Sequence, residues 1–209
     1  MARTSVNEPQ QRRSRVSLER VTRAGLALLD SGDADFTIGE VSRRSGVSVG
    51  AIYGRFGNKE GLVHHLLAEA CAVIERELAE ALHPDRYADL DTASLIATAV
   101  ESTIRIVDRH AGVLQVVSWG SVKGERIGAT AAELNAVTTR LLTQLLLTRR
   151  DDYPHDDADE AVRVAYHLAL DPVTLRVLYG RGFAGVERID RSQFYREVGR
   201  ACAAYLLRP

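Results

Sequence analysis

From Val16 to Ser31 the positions Leu18, Val21, Gly25, Leu28 and Leu29 recur at three- and four-residue spacing, which marks one face of an α-helix. Gly32 and Asp33 close that pattern. Thr37 precedes Glu40 by three residues, a capping box that opens a second helix through Ser45. Gly46 supplies the left-handed backbone that ends this helix and turns the chain. Ser48 is the expected N-cap of a third helix to about Phe56. Asn58 caps a fourth, which runs to His83 before Pro84 stops it.

The pattern stays helical beyond Pro84. Residues 91–108 carry Leu95, Ile96, Ala99, Val100, Ile104 and Val107 over a wide arc, as in a helix buried on most sides. Residues 110–119 include the strand-like run Val113-Leu114-Gln115-Val116-Val117. One short strand has no partner in such a chain, so a short helix is expected. Residues 130–148 align Leu134, Val137, Leu141 and Leu145. An acidic loop follows, and its Asp156, Asp157, Asp159 and Glu160 fall at the positive start of the next helix. That helix spans 157–179 with a bend at Pro172. A glycine-rich connector leads to a last helix over 190–207. The expected fold is all-α, about nine helices, in three parts: a flexible basic arm (1–15), a three-helix head (16–60) and a helical body (61–209).

Composition narrows the class. The chain has 209 residues, 45% hydrophobic and 26% charged, enough to bury a sizeable core. No apolar run reaches the roughly 20 residues needed to cross a bilayer, and the polar start lacks the apolar core of a secretory signal. A cytoplasmic protein is expected. Cys71 and Cys202 have no metal-ligand spacing and read as core thiols. The net charge of −1 is uneven: residues 1–60 hold ten Lys/Arg against seven Asp/Glu, and the remainder 17 against 21. A basic end on a mildly acidic body suits a polyanion partner. Arg3, Arg12, Arg13 and Arg15 of the arm have two readings, a passive tail or an arm on phosphates or in the minor groove. Lysine occurs only at 59 and 123, against 25 arginines, as expected of a GC-rich bacterial genome.

The third helix carries the chemistry. Val47, Ile52 and Phe56 share a face that can pack on Val41 and Leu28. The other side presents Val49, Gly50, Tyr53 and Gly54, small or flat residues that let a helix enter the roughly 12 Å major groove. Arg55 sits at the edge. Thr37, Ser48, Tyr53 and Lys59 offer hydroxyls or an ammonium to phosphate oxygens, and the helix starts at Thr37, Ser48 and Asn58 add N–H donors. Two short helices meeting at a glycine form a helix-turn-helix.

Thr37, Val41, Gly46-Val47-Ser48, Gly50, Ile52-Tyr53, Phe56, Lys59-Glu60 and Leu62 together resemble the signature of TetR-family transcriptional regulators. The resemblance covers about 45 N-terminal residues, the first helix included; the rest agrees in length and helix number only. It implies an all-α homodimer with a DNA-binding head and a body holding a ligand pocket, usually a repressor released by a small molecule. Carried over by position, Thr37, Tyr53 and Lys59 contact phosphate, and Val49, Gly50, Ala51 and Gly54 line the base edges. No amide or charged side chain stands at those base-facing positions, so more specificity is expected from DNA shape than from bidentate contacts. The resemblance also makes the apolar sets of the last two long helices the dimer face: Val162, Tyr166, Ala169, Val173 and Val177, with Phe194, Val198, Cys202 and Tyr205. Completion of the monomer core is the other reading of both sets.

Other motifs fall away. Gly180, Gly182 and Gly185 match G-x-G-x-x-G, but helical periodicity precedes them and only 24 residues follow, so a dinucleotide site is not expected. His64 and His65 point about 100° apart on a helix and lack further ligands; His110, His155 and His167 are scattered. No nucleophile elbow, zincin or P-loop motif occurs, and neither enzyme activity nor a cofactor is expected. Candidate lining for an effector pocket is Arg105, Gln115, Trp119, Tyr166 and His167, polar or aromatic residues on helices expected to face inward. The expected partners are a near-palindromic DNA duplex, a second copy of the chain and a small-molecule effector. A ligand-independent DNA-binding regulator with the same head is the alternative.

Overall fold

A computed structural model describes residues 8–31, 36–121, 125–179 and 190–208, apart from the side chains at 8–10, 117–121, 125–128, 130, 131, 178 and 179. Among the described residues there are nine α-helices and no strand: α1 (Glu8–Asp30), α2 (Ile38–Ser45), α3 (Val49–Phe56), α4 (Lys59–Ala81), α5 (Thr92–Arg109), α6 (Ala111–Ser121), α7 (Glu125–Leu146), α8 (Ala158–Tyr179) and α9 (Arg191–Leu207). Short 3-10 segments occupy Pro84–Tyr87 and Leu147–Asp152. The ambiguous stretch after His110 is helical, as α6. The glycines at 180–185 and residues 1–7 lie outside the described residues.

Helix α1 starts at Glu8 rather than near Val16, so residues 8–15 are helical and not a flexible arm. These residues lack periodicity because they are polar on every side. Glu, Gln and Arg are nevertheless good helix formers, and Pro9 sits in the first turn, where its missing N–H costs nothing.

Internal contacts divide the chain into two compact units, 1–70 and 71–209. Helix α4 is the element common to both. In the first unit α1, α2, α3 and the start of α4 enclose Val21, Leu28, Leu29, Phe36, Val41, Ile52, Leu62 and Leu66. In the second, α5 to α9 bury Ile96, Val100, Ile104, Leu142, Val162, Val173 and Leu206. Asp91 caps α5 through the N–H of Ser94 at 2.7 Å, and Asp190 caps α9 through that of Gln193 at 3.0 Å. Asp157, in the acidic loop, accepts from the N–H of Glu160 at 2.9 Å and so starts α8. Pro172 lies inside α8.

Cys202 is fully buried and Cys71 half-buried; both are free thiols. Burial raises both, Cys202 to about 11, with Glu133 adding to the rise at Cys71. Neither is a reactive thiolate at neutral pH.

Tyr153 is buried, and its hydroxyl donates to the carbonyl of Leu146 at 2.7 Å. Burial first, and the nearby Asp152 second, push its phenol from 10.0 to about 12. The fold therefore holds the neutral form. That contribution is intact below pH 10 and is lost as pH rises from 10 toward 12. The melting temperature of the second unit should fall across this window, and fall less steeply in Tyr153→Phe. Tyr195, raised to about 12 mainly by burial, leaves part of the slope in place. Equal slopes for the two proteins would refute the assignment.

Candidate nucleic-acid interface

The helix-turn-helix is built from local contacts. Thr37 accepts from the N–H of Glu40 at 3.2 Å, while Glu40 accepts from the N–H of Thr37 at 2.7 Å and from its hydroxyl at 3.0 Å. These donors, the N–H foremost, hold the Glu40 carboxyl below the usual range. Gly46 follows with φ 66°, and its N–H reaches the carbonyl of Ser42 at 2.8 Å. That left-handed backbone is inexpensive only for glycine. Two serines lock the turn: Ser42 Oγ donates to the carbonyl of Val47 at 2.7 Å, and the N–H of Val47 donates to Ser45 Oγ at 3.2 Å. Neither serine was expected to have a role, since their spacing to Val47 belongs to no recurring cap motif. Ser48 accepts from the N–H of Ala51 at 3.3 Å and starts α3. Asn58 accepts from that of Gly61 at 2.8 Å and starts α4.

Helix α3 is two-sided. Ile52 is buried, while Val47 and Phe56 are half-buried. Thr37, Ser48, Val49, Gly50, Ala51, Tyr53, Gly54, Arg55 and Lys59 are all exposed. Val49 at 41% and Tyr53 at 48% are among the most exposed large apolar side chains described. No atom lies within 4 Å of where a side chain at Gly50 or Gly54 would begin. The outer face of α3 is thus a low surface with one aromatic hydroxyl standing on it, flanked by Ser48 and Lys59. Lys59 Nζ lies 5.2 Å from the centre of the Phe36 ring, which holds the ammonium near the start of α4.

Two of the expected phosphate or base contacts are already engaged. The N–H and hydroxyl of Thr37 are committed to Glu40. Arg55 Nη2 donates to the carbonyl of Ser14 at 3.2 Å and also bonds the Ser14 hydroxyl. His65, a residue without an expected role, lies 2.8 Å from Thr22 Oγ1 and packs its ring 5.2 Å from that of Phe56. Half-buried, it links α1, α3 and α4. Only the pairing of distant helices brings His65 to Thr22, so local sequence carries no sign of it.

The four residues expected to line an effector pocket whose side chains are described do not come together. Arg105 is exposed and bonds Glu101 one turn back, and His167 is exposed beside Asp171 at 3.4 Å. Both face outward rather than inward, because the buried arcs of α5 and α8 are filled by apolar residues. Tyr166 is buried and donates to Asn135 Oδ1 at 2.7 Å; Gln115 is half-buried and donates to the carbonyl of Val177 at 2.6 Å. Trp119 lies on α6, and its side chain is outside the described residues. No group of three or more His, Cys, Asp or Glu able to hold a metal occurs among the described residues. No described helix is long and apolar enough to cross a membrane.

Of the nine residues expected at a dimer face, six already pack inside the single chain. Val162, Tyr166, Ala169, Val173 and Val177 of α8, and Cys202 of α9, are buried within the second unit itself. Phe194, Val198 and Tyr205 are half-buried. Helix α8 carries a second apolar stripe on its opposite side: Val164 (38% exposed), Leu168 (50%) and Leu175 (41%). Their four- and seven-residue spacing keeps them on one face. Both stripes are helical in period, so periodicity alone did not rank them.

Residues 21–66 match a family described as bacterial regulatory proteins, tetR family. No curated protein matches the chain in sequence. Among solved structures, a protein from Mesorhizobium loti described as belonging to the TetR family of transcriptional regulators is 14% identical with TM-score 0.69, covering 92% of this chain and 96% of that one. A TetR transcriptional regulator from Agrobacterium tumefaciens is 17% identical with TM-score 0.65, covering 91% and 92%. A bacterial regulatory protein of the tetR family from Rhodococcus RHA1 is 14% identical with TM-score 0.64, covering 91% and 96%. At such identities the likeness is one of fold.

Proposed function

Since the chain belongs to the TetR family of bacterial regulatory proteins and is a DNA-binding transcriptional regulator, we propose that it is a homodimeric repressor that leaves a near-palindromic operator when a small molecule binds its body. The observation that carries the reading is the two-sided α3. Its buried Ile52 fixes the helix on the head, and its outer face offers Val49, Gly50, Ala51, Tyr53 and Gly54 to a groove. With glycine at two of these positions and no amide or charge, the backbone can approach the base edges closely. The methyls of Val49 and Ala51 suit thymine, and shape supplies much of the discrimination. Tyr53, Ser48 and Lys59 hold phosphates; Thr37 joins them only by exchanging Glu40 for phosphate oxygen.

Two heads separated by about one helical turn of DNA, roughly 34 Å, read a two-fold operator. The two-fold contact is carried by the outer stripe of α8, Val164, Leu168 and Leu175. Helix α4, 23 residues long and so about 35 Å, is the continuous element through which a change in the body reaches the head. An effector releases DNA only to the extent that it binds the DNA-incompetent state more tightly.

A second reading, a regulator whose body only dimerises, is favoured by Gln115 and Tyr166, whose polar atoms are already bonded within the body. Native mass spectrometry of the purified dimer separates the two: a co-purifying small molecule supports the effector reading.

Tyr53→Ala and Lys59→Ala should each weaken binding to a selected duplex by about 1–3 kcal/mol and leave the melting temperature unchanged, since both side chains are exposed. The loss should be similar on unrelated sequences, because phosphate contacts carry no sequence information. Full affinity in both variants would overturn this docking.

A further inference from the structure

We propose that the start of α1 is a second DNA-binding surface of the head, an arginine-lined groove that takes backbone phosphates flanking the base pairs met by α3. The proposal rests on the DNA-binding reading above. Arg12, Arg13, Arg15 and Arg20 of α1, with Gly46 and Val47 of the turn, border an open groove of about 1130 Å³. Arg12, Arg13 and Arg15 are exposed. Among the described residues their one paired carboxylate is Glu19, 3.7 Å from Arg15, and both groups are well exposed, so the pair neutralises little.

The groove is tied to the DNA-facing helix at two points. Arg20 reaches over the turn, so that a Cβ on Gly46 would collide with its Nη2. Arg55, near the end of α3, holds the carbonyl and hydroxyl of Ser14. The turn residues that border the groove run directly into Ser48, the N-cap of α3. A phosphate chain lying along the start of α3 would therefore pass onto the arginines of α1. A duplex presents one charge per about 1.7 Å of axis, and the planar guanidinium fork fits phosphate oxygens in pairs. A loose tail would have to be ordered on binding, at an entropic cost for each residue. A helix bonded to α3 through Arg55 and Ser14 brings the same charges already placed.

The test uses the full chain and a duplex bearing the sequence that the wild-type protein enriches from a random library, extended by a turn of DNA on each side. Replacing Arg12, Arg13 and Arg15 together by Ala should lower the slope of log affinity against log salt by roughly 0.9 for each phosphate that is no longer neutralised. Hydroxyl-radical protection should retreat from the flanks, while the ratio of affinities for selected and scrambled duplexes stays at its wild-type value. The corresponding triple Lys variant should restore the slope. A wild-type slope and full flank protection in the Ala variant would overturn the proposal, as would loss of sequence preference along with affinity. If the wild-type chain binds no duplex, the DNA-binding reading falls as well, which separates that failure from failure of the groove alone.

Discussion

Replacing Gly199 by alanine is expected to destabilise the body, although alanine is the better helix residue. Gly199 is buried in the middle of α9, where that helix crosses α5. A Cβ built there would lie 2.5 Å from the carbonyl oxygen of Ala97 and 3.2 Å from its carbonyl carbon and Cα. The obstacle is helix backbone and cannot swing aside as a flexible side chain would, so α5 and α9 must move apart along the most extensive helix packing of the unit. Overpacking of this kind costs about 1–3 kcal/mol, and the gain in helix propensity is about 1 kcal/mol. The cost prevails, more decisively in Gly199→Val. Gly54, exposed on α3 with nothing within 4 Å, is the control: Gly54→Ala should gain up to about 1 kcal/mol, because only propensity acts there. Urea unfolding monitored by circular dichroism gives both numbers. A rise in stability for Gly199→Ala would show that the two helices yield readily.

If the proposed two-fold contact is made by the outer stripe of α8, substituting both Leu168 and Leu175 by Glu is expected to leave the chain monomeric at micromolar concentration without unfolding the body. These leucines are half exposed in the single chain, on the side of α8 opposite its buried stripe, so the charges do not enter the core. Burying a leucine fully contributes about 1.5–3 kcal/mol, and two-fold symmetry presents each position twice. The substitutions remove that gain and set carboxylates against one another across the axis. Loss of the second head should lower operator affinity by about 10²–10⁴-fold, the usual advantage of tethering two sites. Sedimentation equilibrium reads the first effect and a duplex titration the second. A stable dimer in the double variant would move the interface elsewhere on the body.

The helix ends of the helix-turn-helix were legible because their determinants are local. Thr37 with Glu40, Gly46, Ser48 and Asn58 act on donors within a few positions of themselves, and caps at such spacing announce helix ends in any context. Ile52 and Phe56, four residues apart, share one face of α3 with Val47 just before it, and that spacing seats the helix. The beginning of α1 was not legible, since its polar residues form a helix by propensity without the periodicity that betrays one. In the body, Arg105 and His167 were expected inside and lie at the surface. Their helices are apolar over so wide an arc that the sequence period does not say which polar residue closes it.

Helix α8 separates the two kinds of information most clearly. Its chain order alone establishes a helix with two apolar stripes, Val162/Tyr166/Val173/Val177 and Val164/Leu168/Leu175, because helical period is a property of one segment. Which stripe meets α5, α6 and α7 depends on where those helices stand, and that follows from long-range packing such as the close approach at Gly199. The assembled fold buried the first stripe and left the second free. For the same reason the groove beside α3 exists only in the assembled head, where Arg20 lies over Gly46 and Arg55 of α3 bonds Ser14 of α1.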